Sequence, residues 1–173
     1  MDLQKLTAAI RDIPDFPKPG IVFKDITPVL SDPVLFGYAV DLFTERCEKQ
    51  NISKVAAIDA RGFLFAGAIC DRLKVGLIPV RKKGKLPYVT FEESYDLEYG
   101  SATLTVHRDA FEAGERVAIV DDLLATGGTA AATAKLIEQA GGEVVEVDFL
   151  VELTFLKGRD KLASYDVFAA IKY

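Results

Sequence analysis

From Lys54 onward the chain alternates between two hydrophobic periods. Short apolar runs have the length and β-branched content of buried strands: V-A-A-I-D from Val55, V-G-L-I-P-V from Val75, Ala118 to Asp122, Val144 to Val151, and Val167 to Ile171. Between them, R-G-F-L-F-A-G-A-I-C-D-R-L and the stretch from about Thr129 to Ala140 repeat apolar positions at helical spacing. Strands alternating with helices predict an α/β fold on a mostly parallel, doubly wound sheet. Such sheets bind ligands beyond the carboxyl ends of their strands, so chemistry is sought where these runs end.

Before Lys54 the pattern is helical, with one break. Leu3, Leu6, Ala9 and Ile10 predict a helix over 3–12. D-F-P-K-P-G ends it in a stiff turn, I-V-F-K-D-I-T can run extended, and a second helix is expected from about Pro33 to Gln50 with Ser31 and Asp32 as capping candidates. Residues 1–32 therefore form an N-terminal helix and a loop with exposed aromatics. From Leu86 to Tyr99 neither period holds. An insertion at the ligand end of a sheet reads as a lid over 86–100, and the alternative is a β-hairpin pairing with Ala102 to Val106. A mobile hairpin would satisfy both readings.

Composition narrows the function classes. With 173 residues, half of them hydrophobic, the chain is expected to be one domain, 1–173, that needs no disulfide. No apolar run is long enough to span a bilayer, and M-D-L-Q-K-L-T lacks the features of a secretory leader, so a cytoplasmic protein without a membrane partner is expected. The net charge of −5 disfavours nucleic acid as a partner. Cys47 and Cys70 fall in helical patterns without C-x-x-C spacing and read as core residues. His107 is the sole histidine, which leaves zinc ligation or a Ser-His-Asp triad little to build on.

The informative stretch is Val117 to Thr129, V-A-I-V-D-D-L-L-A-T-G-G-T. A strand delivers Asp121 and Asp122 to its end, a loop of small residues follows, and a helix starts at once. Gly127 and Gly128 leave the backbone free for close approach, Thr126 and Thr129 add hydroxyls, and the first helix amides want an acceptor. That is a phosphate site. Two acids beside a phosphate need something between them to take their hydrogen bonds, and ribose hydroxyls, with or without Mg²⁺, are the obvious intermediary. Residues 121–129 thus read as a ribose-5-phosphate cradle, with neither a Walker loop nor a dinucleotide glycine fingerprint anywhere in the chain. Two other strand ends carry charge. Asp59-Ala60-Arg61-Gly62 is a tight turn whose amides and guanidinium would suit a pyrophosphate, or an ordinary turn with Arg61 in solvent. R-K-K-G-K, Arg81 to Lys85, is either a solvated face or a clamp on a polyanion.

Val117 to Thr129 resembles the signature of the type I phosphoribosyltransferases, which bind 5-phosphoribosyl 1-pyrophosphate (PRPP). F-P-K-P-G-I-V-F-K-D-I-T-P-V-L, D-A-R-G-F-L-F, V-R-K-K-G-K-L-P, Y-D-L-E-Y-G and L-V-E-L extend the likeness over nearly the whole chain, and the first and fourth of these point to the adenine-specific branch. The resemblance implies a phosphoribosyltransferase-like α/β fold with an N-terminal hood and a flexible lid. It implies transfer of the 5-phosphoribosyl group from PRPP to N9 of adenine, giving AMP and pyrophosphate, by a homodimer using Mg²⁺ held mainly by the substrate. Phe16, Val22 and Lys24 would bind adenine, with Lys24 standing where an arginine is expected. Asp59, Ala60, Arg61 and Gly62 would hold pyrophosphate through a turn with a cis peptide between Asp59 and Ala60, joined by Arg81, Lys82 and Lys85. Asp121 and Asp122 would hold the ribose, and Ala125, Thr126, Gly127, Gly128 and Thr129 the 5-phosphate. Glu98 would handle an adenine proton, beside Tyr99 on the lid, and Arg61 would act with it in catalysis. The competing readings are a transferase for a 6-oxopurine and, from another class, a non-catalytic PRPP-sensing regulator.

Overall fold

A computed structural model describes residues 3–96 and 100–173. The chain divides into two compact units, 1–42 and 43–173, with the division inside a helix.

In the first unit, α1 (Leu3–Ala9) stops short of the predicted end because Arg11–Pro14 becomes a strand, β1. It pairs antiparallel with β2 (Val22–Asp25), the extended segment foreseen after the proline turn. Two ion pairs fix this register. Arg11 faces Asp25 at 2.8 Å and Lys24 faces Asp12 at 2.7 Å, each pair directly across the ribbon. The Asp25 carboxylate also accepts from the Thr27 hydroxyl and from the Thr27 N–H, which holds its pKa below the usual carboxylate range. A short helix, α2 (Thr27–Ser31), follows with Pro28 in its first turn. Next comes α3 (Pro33–Lys49), capped by Asp32, whose Oδ1 accepts from the Val34 and Leu35 amides at 2.8 and 3.1 Å. Ser31, the other candidate, instead donates to the Pro28 carbonyl.

The second unit holds β3 (Lys54–Ile58), α4 (Gly62–Leu73), β4 (Gly76–Lys82), β5 (Thr90–Asp96), β6 (Ser101–His107), β7 (Arg116–Leu124), α5 (Gly128–Gln139), β8 (Glu143–Glu152) and β9 (Val167–Lys172). Two 3-10 turns, Thr154–Leu156 and Gly158–Leu162, precede β9. Among the described residues the strands form one sheet in the order β5-β6-β4-β3-β7-β8-β9. From β4 to β9 the pairings are parallel, as the alternation predicts, and β5 and β6 add an antiparallel hairpin at one edge. Strands β3, β7 and β8 are buried almost throughout, which is why they read as continuous apolar runs.

Each sheet face has its own core. Ala130, Ala134 and Ile137 of α5 join Val117, Ile119, Val147 and Phe149 in one cluster, the alanines letting the helix come close. On α4, Phe65, Ala66 and Ile69 are buried, and the helix packs on β3 and β7. Phe43 meets the Phe65 ring edge-on at 5.5 Å. Polar groups are buried too. Arg46 of α3 pairs with Glu146, with Asp148 at 3.5 Å and with Asp166 at 3.2 Å, and its guanidinium lies 4.6 Å from the Phe168 ring centre. Cys47 and Cys70 are free and buried, the Cys47 thiol reaching the Asp148 carboxylate at 3.7 Å. Burial pushes the Cys70 thiol up to about 11. No helix among the described residues is long and apolar enough to cross a membrane.

Candidate active site

Register assembles the site. β3 lies between β4 and β7, with Ile58 opposite Val80 and Ala57 opposite Val120. Three carboxyl ends therefore emerge together, which sets Asp59 beside Arg81 and the 59–62 turn beside Asp121 and Asp122. A crevice of about 390 Å³ opens there, lined in part by Asp59, Ala60, Arg61, Lys82, Asp121 and Asp122.

Ion pairs already link these ends. Arg61 Nε lies 2.5 Å from Asp122 Oδ2, so the guanidinium turns to the acids of β7 rather than to solvent alone. Arg81 Nε lies 2.8 Å from Asp59 Oδ2, and its Nη1 donates to the Lys85 carbonyl at 3.2 Å. Of the expected cations, Lys82 lines the crevice, Arg81 is held by Asp59, and the Lys85 side chain is exposed and does not line it. Lys83 pairs with Glu92 at 2.7 Å. The Asp59–Ala60 peptide is cis, as the resemblance implied. At Gly62 a Cβ would stand 2.7 Å from the Val120 carbonyl oxygen, so only glycine lets α4 begin against β7.

The small-residue loop from Ala125 follows β7. A cavity of about 80 Å³ is lined by Asp121, Ala125, Thr126, Gly127, Thr129 and Phe149, among others. Gly127 has φ +76 and precedes the first residue of α5. Gly158 closes the loop from below: a Cβ on Gly127 would stand 2.2 Å from the Gly158 carbonyl oxygen, and one on Gly158 would stand 2.3 Å from that of Ala125. Burial pushes the Asp121 carboxyl well above its usual range, and the neighbouring Asp122 charge adds to the rise. The Asp122 amide donates to Asp121 Oδ1 at 2.9 Å, which partly opposes it. A pair of acids so placed favours whatever brings positive charge near.

In the first unit Phe16 and Val22 are half exposed, and Phe16 meets Phe23 edge-on at 5.3 Å. The Lys24 ammonium is engaged by Asp12 across the ribbon. Glu98 and Tyr99 lie outside the described residues. Two residues at the site escaped sequence reasoning. Tyr95, whose hydroxyl lies 3.0 Å from Thr129 Oγ1, lines the crevice, and its signal was the β5 alternation that turns Phe91, Glu93 and Tyr95 inward. Gly158 carries no local signal, because a distant loop imposes its lack of a side chain.

The family model for the phosphoribosyl transferase domain matches residues 37–169. The adenine phosphoribosyltransferase of Christiangramia forsetii is 56% identical over 169 residues, covering 98% of this chain and 99% of that protein. The crystal structure of adenine phosphoribosyltransferase from Thermoanaerobacter pseudethanolicus superposes with a TM-score of 0.96 at 52% identity, over 99% of this chain and 100% of that one. That of the Saccharomyces cerevisiae enzyme, complexed with adenine and an imino-altritol bisphosphate, gives 0.93 at 41% identity over 97% of each chain.

Proposed function

The chain belongs to the phosphoribosyltransferase family, among the adenine phosphoribosyltransferases, and on that premise we propose how its residues divide the work. The enzyme transfers the 5-phosphoribosyl group from PRPP to N9 of adenine, giving AMP and pyrophosphate, a purine-salvage reaction. The observation that carries the residue assignments is the Arg61–Asp122 ion pair, which joins the end of β3 to the acids of β7 beside the phosphate loop.

Asp121 and Asp122 hold the ribose hydroxyls, and Ala125 to Thr129 hold the 5-phosphate through backbone amides and hydroxyls. Substitution at the anomeric carbon passes through a cation-like ribose. Two carboxyls kept close in a poorly solvated strand end stabilise that charge more in the transition state than in the ground state, which is the condition for catalysis. The 59–62 turn, Arg61 and Lys82 receive the departing pyrophosphate, with Arg81 reaching it from Asp59 and Lys85 joining from the loop. Mg²⁺ takes hard oxygen donors and keeps several waters, so it would be held mainly by PRPP, with the Asp121 and Asp122 carboxyl groups as the oxygen donors at hand in the crevice. When bound, the ion supplies positive charge to the leaving group. Phe16 stacks on adenine, backbone groups around Val22 read its edge, and Lys24 supports the hood through Asp12. Glu98 exchanges the adenine proton, a role that typically contributes about 10²- to 10⁴-fold, and Tyr99 closes with it. The family likeness supports a cytoplasmic homodimer acting on small molecules.

The test is pyrophosphate release from PRPP and Mg²⁺ with adenine, hypoxanthine, guanine and xanthine in turn. Release with adenine alone is expected. Release with an oxopurine would overturn the assignment of Phe16 and Val22, and PRPP binding without release from any base would favour a regulator.

A further inference from the structure

Tyr95 is the last described residue of β5 but one, at the root of the segment that carries Glu98 and Tyr99. It pairs with Ala102 of β6, and the strand's alternation turns it toward α5, which packs on β5. Lys135 of α5 reaches back to Glu93 at 3.0 Å, so helix and strand are tied along this face. The Tyr95 ring lies against Gly128, where a Cβ would stand 3.0 Å from it, and its hydroxyl oxygen accepts from Thr129 Oγ1 at 3.0 Å. Both neighbours belong to the phosphate loop.

A threonine hydroxyl has one proton and two acceptor positions, and its rotor settles where its partners direct it. A phosphate oxygen only accepts, so beside a bound 5-phosphate the Thr129 proton must point at the phosphate. The Thr129 oxygen, which donates to the Tyr95 hydroxyl when no phosphate is bound, is then left to accept, and the bond reverses: the phenol 3.0 Å away, a stronger acid than an aliphatic alcohol, becomes the donor. Resting on the phosphate reading of the Ala125–Thr129 loop, we propose that Tyr95 is a positioning residue for PRPP: its O–H donates to Thr129 Oγ1 and so commits the Thr129 proton to the 5-phosphate. Tyr95 itself need not touch substrate. Its ring meanwhile fixes the height of the strand above Gly128, so that the root of the lid and the phosphate loop keep one spacing.

Three variants of the full chain test this: Tyr95→Phe, Thr129→Val and the double variant, assayed for ribose 5-phosphate binding by calorimetry and for KM and kcat with PRPP. Tyr95→Phe keeps the ring on Gly128 and removes only the hydroxyl. Loss of a hydrogen bond to a charged group predicts about 10- to 100-fold weaker ribose 5-phosphate binding for Thr129→Val, and loss of a neutral one about fivefold for Tyr95→Phe. The KM for PRPP should rise with the binding loss while kcat stays within about twofold, the mark of an interaction made equally in ground and transition states. The double variant should be no weaker than Thr129→Val alone, since Tyr95 acts only through that hydroxyl. A Tyr95→Phe variant that binds like the parent, or losses that multiply in the double variant, would overturn the role of Tyr95 and leave the phosphate loop standing. A Thr129→Val variant that binds ribose 5-phosphate normally would remove the Thr129 hydroxyl from phosphate binding and the role of Tyr95 with it, whereas failure of the parent chain to bind ribose 5-phosphate would overturn the loop assignment itself.

Discussion

At Gly127 two demands meet that no other residue satisfies. The backbone is left-handed, and the Gly158 carbonyl oxygen fills the space a side chain would need. Gly127→Ala should lose about 1–2 kcal/mol from backbone conformation alone and more from displacing Gly158, which is itself hemmed in by the Ala125 carbonyl and the Leu124 side chain. Thermal melting with and without ribose 5-phosphate checks this: a lower midpoint and a smaller shift on adding ligand are expected, and an undiminished shift would remove the loop from phosphate binding. A-T-G-G-T exposed this position in the sequence because the motif is local. Gly158 stayed hidden because its constraint comes from Ala125, far away in the chain. Lys24 was legible as a cation of the hood, but its partner, Asp12, becomes visible only when the ribbon register is known.

Elements followed the sequence where one period ran long enough to decide. The central strands and both crossover helices stand within a few residues of their expected bounds, since β3, β7 and β8 are buried almost throughout and each helix buries one face. Segments with half-buried or mixed faces were less legible. Leu86 to Tyr99 left lid and hairpin open, and the described part is one strand of a hairpin, β5 against β6, in which β5 turns only alternate residues inward. The first helix gave way to β1 because the cross-ribbon ion pairs are invisible to helical spacing. At the start of α3 the capping signal was readable and its chemistry is testable. Asp32→Ala removes the acceptor of two helix amides and should destabilise the protein by about 1 kcal/mol in urea unfolding, while Ser31→Ala should have little effect.

Across the whole molecule, stability should depend on pH through the buried acids of β8. Burial pushes Glu146 and Asp148 above the usual carboxylate range, Asp148 further, with the Glu146 charge adding to the rise and Arg46 opposing it. Among the described residues neither Glu146 Oε2 nor Asp148 Oδ1 has a hydrogen-bond partner, although Arg46 Nε stands 3.5 Å from Asp148 Oδ1, so a proton on one of them gives that atom a bond to donate. Carboxyls raised in the folded state hold protons that the unfolded chain has already released. Their contribution is therefore full below the ordinary carboxylate pKa and is lost as pH climbs through the raised values. Urea midpoints at about pH 5 and about pH 8 should fall with rising pH, and Asp148→Asn, which cannot ionise, should flatten the decline. An identical slope in that variant would move the effect elsewhere. Charge also bears on how substrate arrives. A molecule of net charge −5 repels a polyanion at long range, and in the crevice Arg61 and Arg81 already hold Asp122 and Asp59. On the proposed assignment, binding pyrophosphate would be an exchange of one anion for another rather than the filling of a bare positive patch. Each carboxylate released in that exchange seeks a new positive neighbour at the moment the sugar phosphate enters. A substrate travelling with its own metal would bring one along, so on the proposed reading the protein's arginines would act as a lock that the bare polyanion opens poorly and its magnesium complex opens well.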